Sequence, residues 1–259
     1  MAQLWTEKRV VISPDAATLA SDVAERLLVR LARRASAGKT SHIALTGGVI
    51  GSDVLRALGA HPRRGDIDWS TVHLWWGDEH FAPSGAEDRN DVTARRAFID
   101  QIDIPAHNVH AMPAADEVAD METAARVYAE ELARFGDEEQ AWPAFYLCFL
   151  GVGPDGHIAS LFPDRPEIQV TDRTVVPVPD SPKPPAERLS FTRPVINSAR
   201  CVWLVLSGVD KAAALGLALA GASYETVPAA GAKGRRRTMF FVDQDAATNV
   251  PVELIDQEF

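Results

Sequence analysis

The feature that most constrains this chain is its rhythm: short apolar runs alternate with helix-length amphipathic segments along the whole sequence. Two runs, Phe145-Tyr146-Leu147-Cys148-Phe149-Leu150 and Cys201-Val202-Trp203-Leu204-Val205-Leu206, are apolar throughout. A strand with one wet face alternates polar and apolar residues, so these two read as strands buried on both faces. Further strands are expected at residues 9–12, 42–45, 72–76, near 109, and at 174–178, 188–192 and 238–242. The first helix is expected to open with Ser13 as N-cap and Pro14 at its first position, and to stop near Gly38. Leu19, Val23, Leu27, Leu28 and Leu31 fall on one face of it. Other helices are expected around Val54, Leu55 and Leu58, and at residues 92–102, 117–135 and 210–219. Strands separated by helices imply an α/β fold: a mostly parallel, Rossmann-like sheet with helices on both faces.

At 259 residues the chain can hold one large domain or two small ones. It has no internal repeat and no low-complexity block. Asp180-Ser181-Pro182-Lys183-Pro184-Pro185 reads as a stiff surface connection. Gly231-Ala232-Lys233-Gly234-Arg235-Arg236-Arg237 reads as a mobile, solvated basic turn. Neither divides the chain, so a single domain over residues 1–259 is expected. A hydrophobic share of 46% and a charged share of 24% suit an ordinary globular protein. No apolar run approaches the roughly 20 residues of a membrane helix. The net charge of −10 argues against nucleic acid or an anionic membrane as partner, yet allows a small anion in a locally basic pocket. The segment Met1 to Glu7 lacks the basic and apolar parts of a secretory signal. Cys148 and Cys201 lie inside apolar runs and read as buried, reduced residues of a cytoplasmic protein. No His/Cys set has metal-ligand spacing, so neither metal nor cofactor is expected.

Ligands of open parallel sheets bind beyond the carboxyl ends of the strands, and three turns at such ends carry chemistry. Thr46-Gly47-Gly48 lets the chain turn sharply and brings backbone N–H groups to a helix N-terminus, where an anion can sit. Alone, a two-glycine turn is equally compatible with no ligand. Gly77-Asp78-Glu79-His80 sets two carboxylates beside a histidine, for acid–base work or for capping a loop. The third turn is the most specific: Gly151-Val152-Gly153-Pro154-Asp155-Gly156-His157-Ile158-Ala159-Ser160-Leu161-Phe162-Pro163. It follows a buried strand, packs three glycines into six residues, and ends on His157. Asp155 can orient that imidazole, and the loop amides can face a developing oxyanion.

This glycine–histidine run resembles the signature of the 6-phosphogluconolactonase family. Leu45-Thr46-Gly47-Gly48 is similar to that family's phosphosugar loop, and Trp76-Gly77-Asp78-Glu79-His80-Phe81-Ala82-Pro83 with Asp88-Arg89-Asn90 extends the likeness. Ile104-Pro105 with Asn108-Val109-His110, Arg188-Leu189-Ser190-Phe191-Thr192, Gly208 with Lys211, and Val242-Asp243 with Ala246-Ala247 follow in the same order, from about residue 5 to 255. The resemblance implies the fold shared with glucosamine-6-phosphate deaminase and ribose-5-phosphate isomerase. It implies metal-free hydrolysis of 6-phosphoglucono-δ-lactone to 6-phosphogluconate in the oxidative pentose phosphate pathway. It also implies His157 as general base with Asp155 beside it, and substrate contacts from Gly47, Gly48, Asp78, His80, Arg89, Asn90, Arg188 and Lys211.

Two other functions fit parts of the pattern: a deaminase or isomerase on the same fold, and a non-catalytic phosphosugar-binding protein. Deaminases of this group carry Asn-Glu-Pro soon after the histidine and a tyrosine after the Asp-Glu pair. Here Ser160-Leu161-Phe162-Pro163 and His80 stand at those places, which favours the lactonase. The family usually has arginine where this chain has His80. An unperturbed histidine is only about one-quarter protonated at pH 7 and cannot fork two bonds to a phosphate as arginine does. Arg89, on the same loop, is the residue expected to compensate. The sequence leaves the oligomeric state open.

Overall fold

The structure, a computed structural model, describes residues 8–248 and 250–256; the leader reading of residues 1–7 lies outside them. The strands are β1 (Lys8–Ser13), β2 (Ser41–Leu45), β3 (Val72–Trp76), β4 (Asp78–His80), β5 (Val109–His110), β6 (Phe145–Gly151), β7 (Val175–Val178), β8 (Arg188–Phe191), β9 (Cys201–Leu206) and β10 (Arg237–Asp243). The α-helices are α1 (Ala16–Ser36), α2 (Gly48–Ala60), α3 (Asn90–Ala97), α4 (Met121–Ala133), α5 (Arg193–Ser198) and α6 (Ala212–Leu219).

Seven strands form one sheet in the order β1-β10-β9-β6-β2-β3-β5, every neighbouring pair parallel. The two continuous apolar runs, β6 and β9, are adjacent inside it. All six residues of β9 are buried, and because successive side chains point to opposite faces, both faces of the sheet are covered there. Trp75, Trp76, Trp203, Phe240 and Phe241 are among the largest fully buried side chains. Each contributes roughly 1.5–3 kcal/mol by leaving water. No helix among the described residues is long and apolar enough to cross a membrane.

The strand order determines where a ligand fits. From β2 the chain adds β3 and β5 on one side; it then returns through β6 and adds β9 and β10 on the other. Winding therefore reverses between β2 and β6, and at such a point the loops leaving the two carboxyl ends diverge and open a crevice. Those loops are Thr46-Gly47-Gly48 and the glycine–histidine turn.

A second, three-stranded antiparallel sheet, β4-β8-β7, is absent from the sequence-based expectation. β4 follows β3 across Gly77, and its register pairs Asp78 with Ser190 and His80 with Arg188. The first helix is also corrected: Asp15, not Ser13, is the N-cap, its Oδ1 accepting the Thr18 N–H at 2.8 Å. The 92–102 helix resolves into α3 and a 3₁₀ turn at Ile99–Gln101. The basic turn is tethered rather than loose. Lys233 N–H donates to Asn197 Oδ1 (2.8 Å), and Arg235 and Arg236 N–H donate to the carbonyls of Ala199 (2.8 Å) and Arg200 (2.9 Å).

Candidate active site

A cavity of about 510 Å³ opens at the carboxyl ends of β2, β3, β6 and β9. Of the expected site residues, Gly47, Gly48, Asp78, His80, Asn90, His157, Arg188 and Lys211 line it; Asp155 reaches it through His157, and Arg89 does not reach it.

The turn after β6 presents the histidine. Gly153 N–H donates to the His157 carbonyl (3.0 Å) and Gly156 N–H to the Gly153 carbonyl (3.0 Å), closing a compact loop. A Cβ on Gly153 would stand 2.0 Å from His157 Nδ1, so only glycine lets the ring fold back over the backbone. Gly156 has φ +82°, a left-handed conformation costly for a side-chain-bearing residue. His157 Nδ1 lies 2.5 Å from Asp155 Oδ1, and the ring packs tilted on Phe162 with centroids 4.6 Å apart. An ionised carboxylate only accepts, so Nδ1 carries the proton and Nε2 of the neutral ring keeps a lone pair. Partial burial alone would raise the Asp155 carboxyl. Its hydrogen bond to His157 and the neighbouring Lys183 ammonium outweigh burial and hold it below the usual carboxylate range.

The turn after β2 supplies the N-terminus of α2, with Gly47 as N-cap and Gly48 at φ +76°. First-turn amides of a helix lack intrahelical partners and carry partial positive charge, so they suit an anion. Gly47 is required for a second reason: a Cβ there would fall 1.8 Å from Asn90 Oδ1. Asn90 Nδ2 donates to the Asp78 carbonyl (3.0 Å), and Gly151 N–H donates to Thr46 Oγ1 (3.1 Å), which ties the two diverging loops together.

The second sheet brings up a polar wall. Buried Asp78 accepts from Ser160 Oγ at 2.8 Å. His80 Nδ1 is 2.6 Å from the Asp88 carbonyl, which can only accept, so this nitrogen is protonated as well. Burial and the neighbouring Arg188 charge lower the His80 pKa, against Asp78 and Asp88. His80 therefore tends to neutrality where the family pattern has a permanent cation.

Arg89 corrects an expectation. It is 2% exposed, and its guanidinium donates to Asp91 Oδ1 (2.7 Å) and to the carbonyls of Met112 (2.7 Å) and Ala82 (3.2 Å). It spends its donors holding the loop and cannot replace an arginine at position 80. Glu79 belongs to the same scaffold, accepting the N–H groups of His80 (2.8 Å), Asn90 (2.7 Å) and Asp91 (2.9 Å) and so capping α3. Burial pushes its carboxyl up, to about 8, while Arg89 and the Asn90 and Asp91 amides pull the other way.

After β9, the Asp243 carboxylate accepts from Ser207 Oγ (2.6 Å) and Gly208 N–H (3.0 Å), fixing the turn that carries Lys211. Lys211 pairs with Asp210 and lines the cavity.

Sequence reading missed Lys183. The Asp180 to Pro185 segment is no mere surface connection, because Lys183 and Pro184 line the cavity and Lys183 Nζ is 3.2 Å from His157 Nδ1. The usable signal was a lysine fixed among prolines just ahead of Arg188, already assigned to the site. Asp53 and Ser207 were missed too; each lies within a few residues of a motif that was read, and Thr46, which belongs to the first of those turns, lines the cavity as well. Both cysteines are free and buried, as expected.

A carboxylate-held imidazole beside lysine and arginine side chains, at the switch point of a parallel sheet, defines an α/β enzyme site suited to a small anionic substrate. The sequence profile described as glucosamine-6-phosphate isomerases/6-phosphogluconolactonase matches residues 14–241, and the chain belongs to that family. It is 44% identical over 250 residues to 6-phosphogluconolactonase of Streptomyces coelicolor, covering 95% of this chain and 96% of the relative. It is 42% identical over 244 residues to 6-phosphogluconolactonase of Mycobacterium tuberculosis, covering 93% and 98%. Among solved structures, the devB protein superimposes with a TM-score of 0.82 at 26% identity, covering 94% of this chain and 100% of that one. The fold is also that of 6-phosphogluconolactonase from Thermotoga maritima, with a TM-score of 0.79 at 23% identity over 92% and 100%.

Proposed function

We propose that the chain hydrolyses 6-phospho-D-glucono-1,5-lactone to 6-phospho-D-gluconate, in the oxidative pentose phosphate pathway, with His157 as general base. The observation that carries this reading is the 2.5 Å contact between Asp155 and His157 Nδ1, which leaves Nε2 as the basic atom beside the cavity. Water gives a proton to Nε2 as its oxygen bonds to the lactone carbonyl carbon, and the carbonyl electron pair moves onto oxygen. When that intermediate collapses, the bond from carbon to the ring oxygen breaks, and the ring oxygen takes the proton back from Nε2. Asp155 stabilises the transient imidazolium. General-base transfer of this kind supplies about 10²–10⁴-fold, a large share of what an activated ester requires.

The amides opening α2 and the Lys211 ammonium support assigning the phosphate to that side of the cavity, with Asp78 and Asn90 left for sugar hydroxyls. A permanent cation at one end and a base at the other suit a substrate with both a phosphate and a reactive carbonyl. The reading includes a single domain, supported by one hydrophobic core cluster reaching from Val10 to Ala246. It also includes a cytoplasmic setting, with a small phosphorylated lactone rather than nucleic acid or membrane as partner; the net charge of −10 supports this.

The test is a coupled assay in which glucose-6-phosphate dehydrogenase generates the lactone and 6-phosphogluconate formation is followed with and without the protein. Acceleration above spontaneous hydrolysis is expected, unchanged by EDTA. Ammonia release from glucosamine 6-phosphate would identify a deaminase instead, and phosphosugar binding without turnover a sensor.

A further inference from the structure

The segment joining β7 to β8 is built to hold one side chain in place. Arg188, first residue of β8, donates from Nε to the Pro185 carbonyl (3.0 Å) and from Nη2 to the carbonyls of Lys183 and Pro184 (both 3.1 Å). Ser181 Oγ donates to the Lys183 carbonyl (3.0 Å) and accepts the Lys183 N–H (3.2 Å). Ser181 N–H in turn donates to the Ala186 carbonyl (2.9 Å). Both backbone polar groups of Lys183 are thus fixed, an unusual investment for a lysine on a proline-rich loop. Arg188, expected to hold substrate, directs much of its donor capacity into this loop.

The Lys183 ammonium stands 3.4 Å from Asp155 Oδ1 and 3.2 Å from His157 Nδ1. The contact with the imidazole is not a hydrogen bond, because Nδ1 already donates to Asp155 and has no lone pair left. The carboxylate is what holds the ammonium, and it answers only one of the three N–H groups. Among the described residues no further protein acceptor meets Nζ, and Lys183 lines the cavity. A cation beside the general base opposes formation of imidazolium, so by itself it would slow the reaction. That cost turns into a gain if negative charge appears next to the ammonium in the same step.

We propose that Lys183 is a catalytic residue that contacts the lactone carbonyl oxygen and stabilises the oxyanion formed when water attacks. The inference rests on the lactonase reading. The two charges created in the step then meet fixed partners: imidazolium faces Asp155, and oxyanion faces Lys183. The distances allow it. Nζ lies roughly one ring-width beyond the base, and a near-attack water and carbonyl each add about 3–3.5 Å, within the swing of a four-carbon stem. A charged donor aimed at the oxyanion rather than at the ground-state carbonyl acts chiefly on kcat.

The test compares wild type, Lys183→Met and Lys183→Cys, with the cysteine variant also assayed after aminoethylation, which restores an ammonium at nearly the same reach. Both native cysteines are buried, so the new thiol is the accessible one. Expected are a kcat lower by 10- to 100-fold in both variants and a melting temperature close to wild type. Inhibition by inorganic phosphate should stay within about twofold, and aminoethylation should recover most of the lost turnover. A rise in KM and in the phosphate inhibition constant at unchanged kcat would make Lys183 a phosphate anchor and overturn the proposal. Wild-type turnover in Lys183→Met would make it a solvated side chain, with the same consequence. Failure of the lactonase reading is distinguishable, since wild type itself would then show no turnover.

Discussion

Histidines sit at both ends of the parallel sheet, and their surroundings give them opposite characters. Beyond the carboxyl ends, His157 has one carboxylate on Nδ1, open cavity on the other side, and a side chain 16% exposed. Near the amino ends of β2 and β3, His42 and His73 stack at 4.6 Å, and on the same face His110, the last residue of β5, stacks on Trp75 at 3.8 Å. Phe135 meets all three imidazoles edge-on. Four of their six ring nitrogens have protein partners: Trp75 Nε1 donates to His42 Nδ1, His73 Nδ1 meets His110 Nε2 at 3.0 Å, and His110 Nδ1 meets Glu131 at 2.9 Å. Burial, then the neighbouring histidines and Arg34, lower His42 to about 3; burial, His110 and His107 lower His73 to about 4. Three clustered histidines are thus a neutral packing device, whereas the single histidine on a glycine turn is the one we propose as the base. Number of imidazoles does not mark the site; an unspent nitrogen facing a cavity does.

The sharpest way to break this contrast is His157→Asn. The fold and affinity for 6-phosphogluconate are expected to survive, and kcat to fall by about 10²-fold or more. Near wild-type turnover, corrected for spontaneous hydrolysis, would sink the assignment. Gly153→Ala tests the same residue through its backbone: a Cβ 2.0 Å from Nδ1 must push the ring off Asp155. A loss of at least about 10-fold in kcat is expected with proton transfer misaligned, and a crystal structure should show the ring displaced.

Arg89→Lys addresses the scaffold beside the site. Lysine cannot reproduce the fork to Asp91 and the backbone carbonyls, so stability is expected to drop by about 2–3 kcal/mol, with buried acceptors left unpaired. The surviving folded protein should keep its KM; a KM raised tenfold without loss of stability would return Arg89 to the substrate.

The amino-end cluster makes an acid prediction. Well above pH 6.5 these histidines are neutral in both folded and unfolded chains. As pH falls the unfolded chain takes up protons that the fold refuses until about 4 for His73 and about 3 for His42, so stability is full at neutral pH and lost through this window. In His73→Gln the decline between pH 6.5 and 4 should be shallower by about 0.5 kcal/mol per pH unit, less than the full linkage slope because the half-buried ring is partly screened by solvent, read by urea unfolding. An unchanged slope would show that His73 titrates normally.

The smallest effect concerns His80, lowered by burial and Arg188. If it faces the substrate phosphate, binding must draw in a proton, so KM should rise a few-fold from pH 6 to 8.5 and His80→Arg should flatten that trend. Identical profiles would remove His80 from the phosphate.

Much of the molecule was legible from local pattern. β9 and its neighbour β6 are apolar runs whose burial on both faces is a property of the run itself, and α1 announces its buried stripe at Leu19, Val23, Leu27 and Leu31. The Gly153–His157 turn is likewise self-contained, because its glycines and histidine meet over a few residues. By itself, then, the sequence determined the parallel α/β sheet, the strand ends where a ligand fits, and the histidine with its carboxylate partner.

Tertiary structure decided the rest. Antiparallel pairing of β4 with β8 set His80 against Arg188, a contact across 108 residues that no periodicity encodes. Folding of the Ser181 to Arg188 loop carried Lys183 to His157, 26 residues away along the chain. Burial turned Arg89 from a candidate phosphate ligand into a brace for its own loop. An arginine and a lysine look alike to a pattern of charges. What each does depends on which acceptors come within about 3 Å, and for residues far apart in the chain only the packed fold settles that distance.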